Sequence, residues 1–197
     1  MIWTVTSRPG IGEFGRISAY FAPLAADNPG AFDLMDDAAV LRPAAGHEVV
    51  VTTDTIVEGV HFIGDESPQD VAAKLMGVNL SDLAGKGARP LCYSLNLALP
   101  SRIGDDWIEG FAAELGRLQL EFALSLLGGD SVSTSGPLVL GLTGFGEMPA
   151  GKMLRRAGAR PGDRLAVSGT IGDGALGLMA VQGALGLSEA AAALRGR

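Results

Sequence analysis

The 197-residue chain carries 15 Lys and Arg against 22 Asp and Glu, a formal charge of −7, and 47% of its residues are hydrophobic. That hydrophobic share is enough for a packed core and rules out disorder as the default, while the net negative charge leaves no electrostatic footprint for nucleic acid or an anionic membrane. The single cysteine, Cys92, excludes an intramolecular disulfide and a cysteine-based zinc site. With no signal-peptide pattern in "MIWTVTSRPG" and no apolar run of bilayer length, the chain reads as cytoplasmic. Its length suits one large domain, or one domain and the start of another.

In chain order, Phe14, Ile17, Tyr20, Phe21 and Leu24 recur at helical spacing and predict a first helix over 13–25. "DDAAVLRP" reads as a short strand opened by Asp36 and Asp37 and closed by Pro43, and a second strand follows over 48–54. "SPQD" at 67–70 is a helix start: Ser67 caps, Pro68 tolerates the first turn, and Asp70 favours the positive end of the helix dipole. That helix runs to the glycines at 85 and 87 and carries Leu75, Asn79 and Asp82 on one stripe. "CYSLNLAL" alternates as a strand, and "DDWIEGFAAELGRLQLEFA" is a second long amphipathic helix. The apolar runs "LSLLGGD" and "PLVLGLTGFGEM", joined by a polar loop, read as neighbouring strands; "GDRLAVSG" predicts a further strand, "DGALGLMAVQGAL" a helix, and the Ala-rich end another. The fold class is α+β, a mixed sheet with helices on one face.

Chemistry concentrates in carboxylates at element boundaries: Asp36, Asp37, Asp54, Asp82 and Asp130. For any one of them capping is the ordinary explanation, and Asp70, Asp105 and Asp163 are read that way. "TTD" differs, because Thr52, Thr53 and Asp54 offer three oxygen ligands in succession. If folding brings the acids together, they need cations to stay ionised, and an all-oxygen donor set suits magnesium with phosphates. Two phosphate-loop look-alikes fail on context. "GIGEFG" follows a poor strand, and "GEMPAGKM" is one residue short with Met153 where a hydroxyl is required.

The segments "GEFGRISAYFAPL", "DDAAVL", "VVTTDTIVEGVHF", "KLMGVNLSDLAGKGARP", "LLGGD" and "RRAGARPGDRLAVSGTIGD" occur in that order. Together they resemble the thiamine-monophosphate kinase family of the aminoimidazole-ribonucleotide-synthetase-like superfamily, from Gly12 to about Gly177. The resemblance implies ATP- and magnesium-dependent conversion of thiamine monophosphate to thiamine diphosphate. It implies magnesium ligands at Asp37, Thr52, Thr53, Asp54, Asp82 and Asp130, ATP contacts at Gly129, Asp130 and Arg156, and a substrate contact at His61. It further implies an N-terminal ATP- and magnesium-binding domain over 1–148 and the start of a C-terminal α/β domain over 149–197. N-terminal domains of this superfamily pair in a homodimer whose sheets form a β-barrel.

Two departures stand out. Where the family reads G-I-G-D-D, this chain has "FDLMDD", and Lys86 replaces a commonly apolar residue. Family members also continue through a second domain of similar size, so activity of these 197 residues alone is open. The alternatives are a non-catalytic dimerisation or nucleotide-binding fragment, and a superfamily enzyme acting on another acceptor. A reactive Cys near the N-terminal glycines, which selenophosphate synthetase would want, is lacking because Cys92 is mid-strand.

Overall fold

The computed structural model describes residues 12–182. The first helix forms where its apolar spacing predicts, in three pieces: α1 (Gly12–Arg16), a π-helical turn (Ile17–Phe21) and α2 (Ala22–Ala25). Pro23 has no N–H for a bond back to Ala19, so the wide turn falls where the α ladder is already interrupted. A 3₁₀ segment, Pro29–Leu34, follows behind an Asn28 cap.

Four strands make one mixed sheet: β1 (His47–Val57), β2 (Arg89–Pro100), β3 (Ser125–Thr134) and β4 (Val139–Pro149). Their order is β1-β4-β2-β3, with β4 antiparallel to both neighbours and β3 parallel to β2. The two apolar runs around "SVSTSG" are therefore not neighbours, contrary to the sequence reading. The helical crossover after β2 lays β3 on its outer edge, and the chain then passes β2 to add β4 on the other side. A parallel pair joined by a long helix is the usual product of such a crossover.

Helices α3 (Pro68–Lys86) and α4 (Asp105–Phe122) fill the crossovers and cover one face of the sheet. The α3 start is as predicted: Ser67 accepts from the Asp70 amide at 3.1 Å and its hydroxyl donates back to Asp70. Gly87 ends it in the left-handed conformation that glycine adopts without strain. Leu75, Met76, Ile108, Phe111 and Leu115 pack against Tyr93, Leu95, Leu97, Leu140 and Leu142, alternate residues of β2 and β4. Tyr93 is fully buried, and its hydroxyl is satisfied by Gln119, which also donates to the Leu24 carbonyl. The opposite face of the sheet exposes Val51 and Thr53 on β1 and Asn96 on β2.

Two predicted strands do not form. Residues 36–43 are irregular and exposed apart from Leu41, held by the Val40 amide on Gly30 and the Ala44 amide on Glu147. No alternate residues of this run are buried, so nothing fixes it to a sheet face. "GDRLAVSG" is likewise irregular, with Leu165 and Val167 exposed and no partner strand among the described residues.

The chain divides into two compact units after Arg155. In the second, a short turn at Arg156–Gly158 is followed by α5 (Asp173–Val181), and Asp163 accepts from the Arg160 amide as a local turn residue. The Ala-rich end lies outside the described residues. No helix among the described residues is long and apolar enough to cross a membrane.

Candidate functional site

The period of β1 sorts the "TTD" oxygens. Val50, Thr52, Asp54 and Ile56 face the helices, with Val50 and Ile56 buried, while Val51, Thr53 and Thr55 face the open side. Thr52 Oγ1 donates to Asp82 Oδ2 on α3 at 2.8 Å. Thr53 Oγ1 instead meets Thr143 Oγ1 on the open face at 3.1 Å. The three side chains therefore do not converge on one ion: Thr52 and Asp54 share a face and Thr53 has the other.

The small residues of β4 make room for the first group. A Cβ on Gly144 would lie 3.3 Å from Thr52 Cγ2 and 3.7 Å from Asn79 Cβ. Asn79, one turn before Asp82 on α3, is buried; its Nδ2 donates to the Leu75 carbonyl and its Oδ1 has no partner.

Asp130 sits elsewhere. Cross-strand partners run Asp54–Leu142–Leu95–Gly129, so Asp54 and the residue before Asp130 occupy opposite edges of the sheet. Three interstrand steps separate them by about 14 Å. Asp130 pairs with Asn96 on the open face and accepts from the Ser131 amide at 2.9 Å. It lines a cavity of about 480 Å³ with Asp36, Asp37, Gly128, Gly129 and Asn96. The expected single basin is thus two groups in this chain, Thr52–Asp54–Asp82 and Asp36–Asp37–Asp130.

Gly129 has a structural reason of its own. A Cβ there would overlap the Leu95 carbonyl oxygen, so β3 reaches β2 only with glycine at this point, whereas a Cβ on Gly128 meets nothing within 4 Å. The loop carrying Asp36 and Asp37 is also conformationally demanding. Phe32, Asp33 and Leu34 all take positive φ, at 50°, 56° and 57°. Those residues open "FDLMDD". A Cβ on Gly30 would overlap the Val40 carbonyl, which closes the loop. At its far end Glu147, on the open face of β4, accepts from the Ala44 amide at 2.8 Å and pairs with Arg89. Those two partners, the amide first, hold its carboxyl below the usual range. Sequence reading missed Glu147, Arg89 and Asn96; the outward Asn in the apolar alternation of "SLNLAL" was the available signal for the last.

His61 lies in the loop after β1, exposed, with Nδ1 accepting from the Val57 amide at 3.1 Å. Arg156 is exposed at the start of the second unit. "GEMPAGKM" runs from β4 into a turn at 150–151 with no helix after it, which removes it as a phosphate loop.

Among the described residues no three His, Cys, Asp or Glu side chains gather tightly enough to hold a metal ion unaided. The donor chemistry of both groups, carboxylates with hydroxyls and amide oxygens, fits magnesium that completes its shell with phosphate and water.

The chain is 50% identical over 171 residues to a thiamine-monophosphate kinase of Caulobacter vibrioides, covering 87% of this chain and 49% of that one. A crystal structure of a thiamine-monophosphate kinase from Stenotrophomonas maltophilia K279a superposes with a TM-score of 0.74 at 40% identity, over 85% of this chain and 54% of that one. A structure of AaThiL complexed with AMPPCP and TMP matches at TM-score 0.70 and 29% identity, over 93% of this chain and 57% of that one. The chain thus spans about half the length of the relatives it matches. Residues 35–148, more than half of the chain, match the family described as AIR synthase related protein, N-terminal domain, and to that family the chain belongs.

Proposed function

We propose that this chain supplies the N-terminal domain, with the beginning of a second domain, of an ATP- and magnesium-dependent thiamine-monophosphate kinase acting in the cytoplasm. The observation that carries the reading is the placement of two oxygen-only groups, Thr52–Asp54–Asp82 and Asp36–Asp37–Asp130, in a chain 50% identical to a kinase of that name.

The acceptor is itself a phosphate, already ionised near neutral pH, so no general base has to deprotonate it. What the reaction requires is in-line positioning of the γ-phosphoryl group and relief of repulsion between two anions. Asp37, Thr52, Thr53, Asp54, Asp82 and Asp130 are the magnesium ligands in this reading, directly or through water. Magnesium supplies charge neutralisation at the phosphoryl oxygens. Gly129 and Asp130 contact ATP, Arg156 adds a forked positive charge for a phosphate, and His61 contacts the substrate.

The open sheet face, with Val51 57% and Val132 50% exposed on the two edge strands, suits pairing with a second copy into a barrel. The proposed partner is therefore an identical chain.

The test is an assay with ATP, magnesium and thiamine monophosphate on this chain and on a longer chain that includes a complete second domain. Thiamine diphosphate formed by the longer chain and abolished by Asp54→Asn or Asp130→Asn supports the kinase; full turnover in either variant overturns it. The second reading, a nucleotide-binding module, needs only the cavity lined by Gly128, Gly129 and Asp130. Magnesium-dependent ATP binding without transfer in both chains selects it.

A further inference from the structure

The loop after β1 is fastened at several points, and three of its hydrogen bonds are made by His61. The His61 amide donates to the Val57 carbonyl at 2.8 Å, and the Val57 amide donates to His61 Nδ1 at 3.1 Å. Both backbone polar groups of one residue are thus taken up by the other. The His61 carbonyl accepts from Lys74 Nζ, which reaches across from α3. Around this knot Glu66 accepts from the Ile63 and Gly64 amides at 2.8 and 2.7 Å, and Glu58 accepts from the Leu138 amide and pairs with Arg102.

A backbone N–H can only donate, so Nδ1 of His61 accepts and the single ring proton of the neutral imidazole is on Nε2. His47 is the opposite case: its Nδ1 lies 3.3 Å from the Ala45 carbonyl, which can only accept, so its proton is on Nδ1. We propose that Lys74 is a positioning residue which, with the Val57 amide, holds His61 as a hydrogen-bond donor through Nε2. This rests on the substrate role given to His61 above and specifies its chemistry. A fixed Nε2–H suits an acceptor-only phosphoryl oxygen, and its orientation is set before the ligand arrives. The same tautomer bars His61 from acting as a base, since one nitrogen is protonated and the other occupied.

The chain has only two histidines, so the test is direct. Long-range proton–nitrogen correlation on the full chain near pH ~8, where an ordinary imidazole is neutral, reads each tautomer, with His47→Gln for assignment. Expected is a proton on Nε2 of His61 and on Nδ1 of His47. Lys74→Met is expected to convert His61 to an averaged pattern while His47 keeps its own as the folding control, and Lys74→Arg to restore it. A His61 proton on Nδ1, or a pattern unchanged in Lys74→Met, overturns the proposal. Thiamine monophosphate is then added to the longer wild-type chain that includes a complete second domain. A shifted Nε2 signal supports the donor role, whereas no response with the tautomer intact overturns the substrate role of His61 and leaves the positioning by Lys74 standing.

Discussion

Thr52 Oγ1 donates to Asp82 Oδ2 at 2.8 Å, tying an edge strand of the sheet to the helix that covers it. The bond orients a carboxylate that would otherwise rotate freely in solvent. Thr52→Val keeps the shape and removes the donor, whereas Thr52→Ser keeps it. Stability should fall by only about 1 kcal/mol or less in Thr52→Val, as for an exposed hydrogen bond. Magnesium-dependent ATP binding by calorimetry should weaken by roughly tenfold or more, because Thr52→Val removes a proposed ligand and the orienting partner of another together. Equal affinity in Thr52→Val and wild type would show that Thr52 neither binds the metal nor orients Asp82 for it.

Gly129 and Gly128 differ in how much room their strand leaves for a side chain. A Cβ on Gly129 overlaps the Leu95 carbonyl oxygen, and one on Gly128 meets nothing within 4 Å. Gly129→Ala must push β3 away from β2 and should cost upwards of about 2 kcal/mol, in the range of overpacked sites. Gly128→Ala should stay within about 1 kcal/mol of wild type. Urea unfolding of both variants checks the pair. A tolerated Gly129→Ala would mean that β3 docks more loosely than the register requires.

How much of this was legible in the sequence depended on whether the deciding force was local. The Ser67 cap, the Gly87 stop and the alternation of β1 are fixed by neighbouring residues, and each was readable. The same alternation already implied that Thr53 faces away from Thr52 and Asp54, though three successive oxygens invited a single site. Strand order was not readable. That β4 passes β2 to reach β1 is decided by which edge the helical crossovers leave free, and this is what puts Asp130 and Asp54 on opposite edges. The strands expected at 36–43 and 162–169 failed for a related reason. A suitable apolar pattern forms a strand only when a partner edge and a buried face accept it.

The acidic loop carries its own strain. Asp33 is exposed with φ 56°, in the left-handed region that glycine adopts without strain. The left-handed conformation costs most residues roughly 1–2 kcal/mol, less for Asp, and glycine removes that cost while adding unfolded-state entropy. Asp33→Gly should therefore leave stability unchanged or raise it by up to about 1 kcal/mol. Gly30→Ala, which must displace the Val40 carbonyl, should lower it clearly. Thermal unfolding of the two variants distinguishes them. A destabilised Asp33→Gly would show that the side chain does more than tolerate the turn.

Glu147 gives the fold an acid-sensitive fastening for the same loop. The Ala44 amide and then Arg89 lower its carboxyl pKa from an ordinary 4.5. A carboxyl lowered on folding adds stability that is fully present above its unfolded pKa and is lost as pH falls through the folded one. The window therefore opens below about 4.5. Glu147→Gln should be less stable than wild type at neutral pH, because Arg89 loses its charged partner and the Ala44 amide a charged acceptor. Between neutral pH and the acid window its urea midpoint should fall less steeply than that of the wild type, so the two curves approach one another on acidification. Parallel curves through the window would mean that the carboxylate contributes no charge-dependent stability. Because Ala44 lies between Asp37 and β1, release of this contact should also loosen the Asp36–Asp37 wall of the cavity. Amide exchange at residues 38–45 should accordingly rise in Glu147→Gln, while that of α3 and α4 stays as in the wild type.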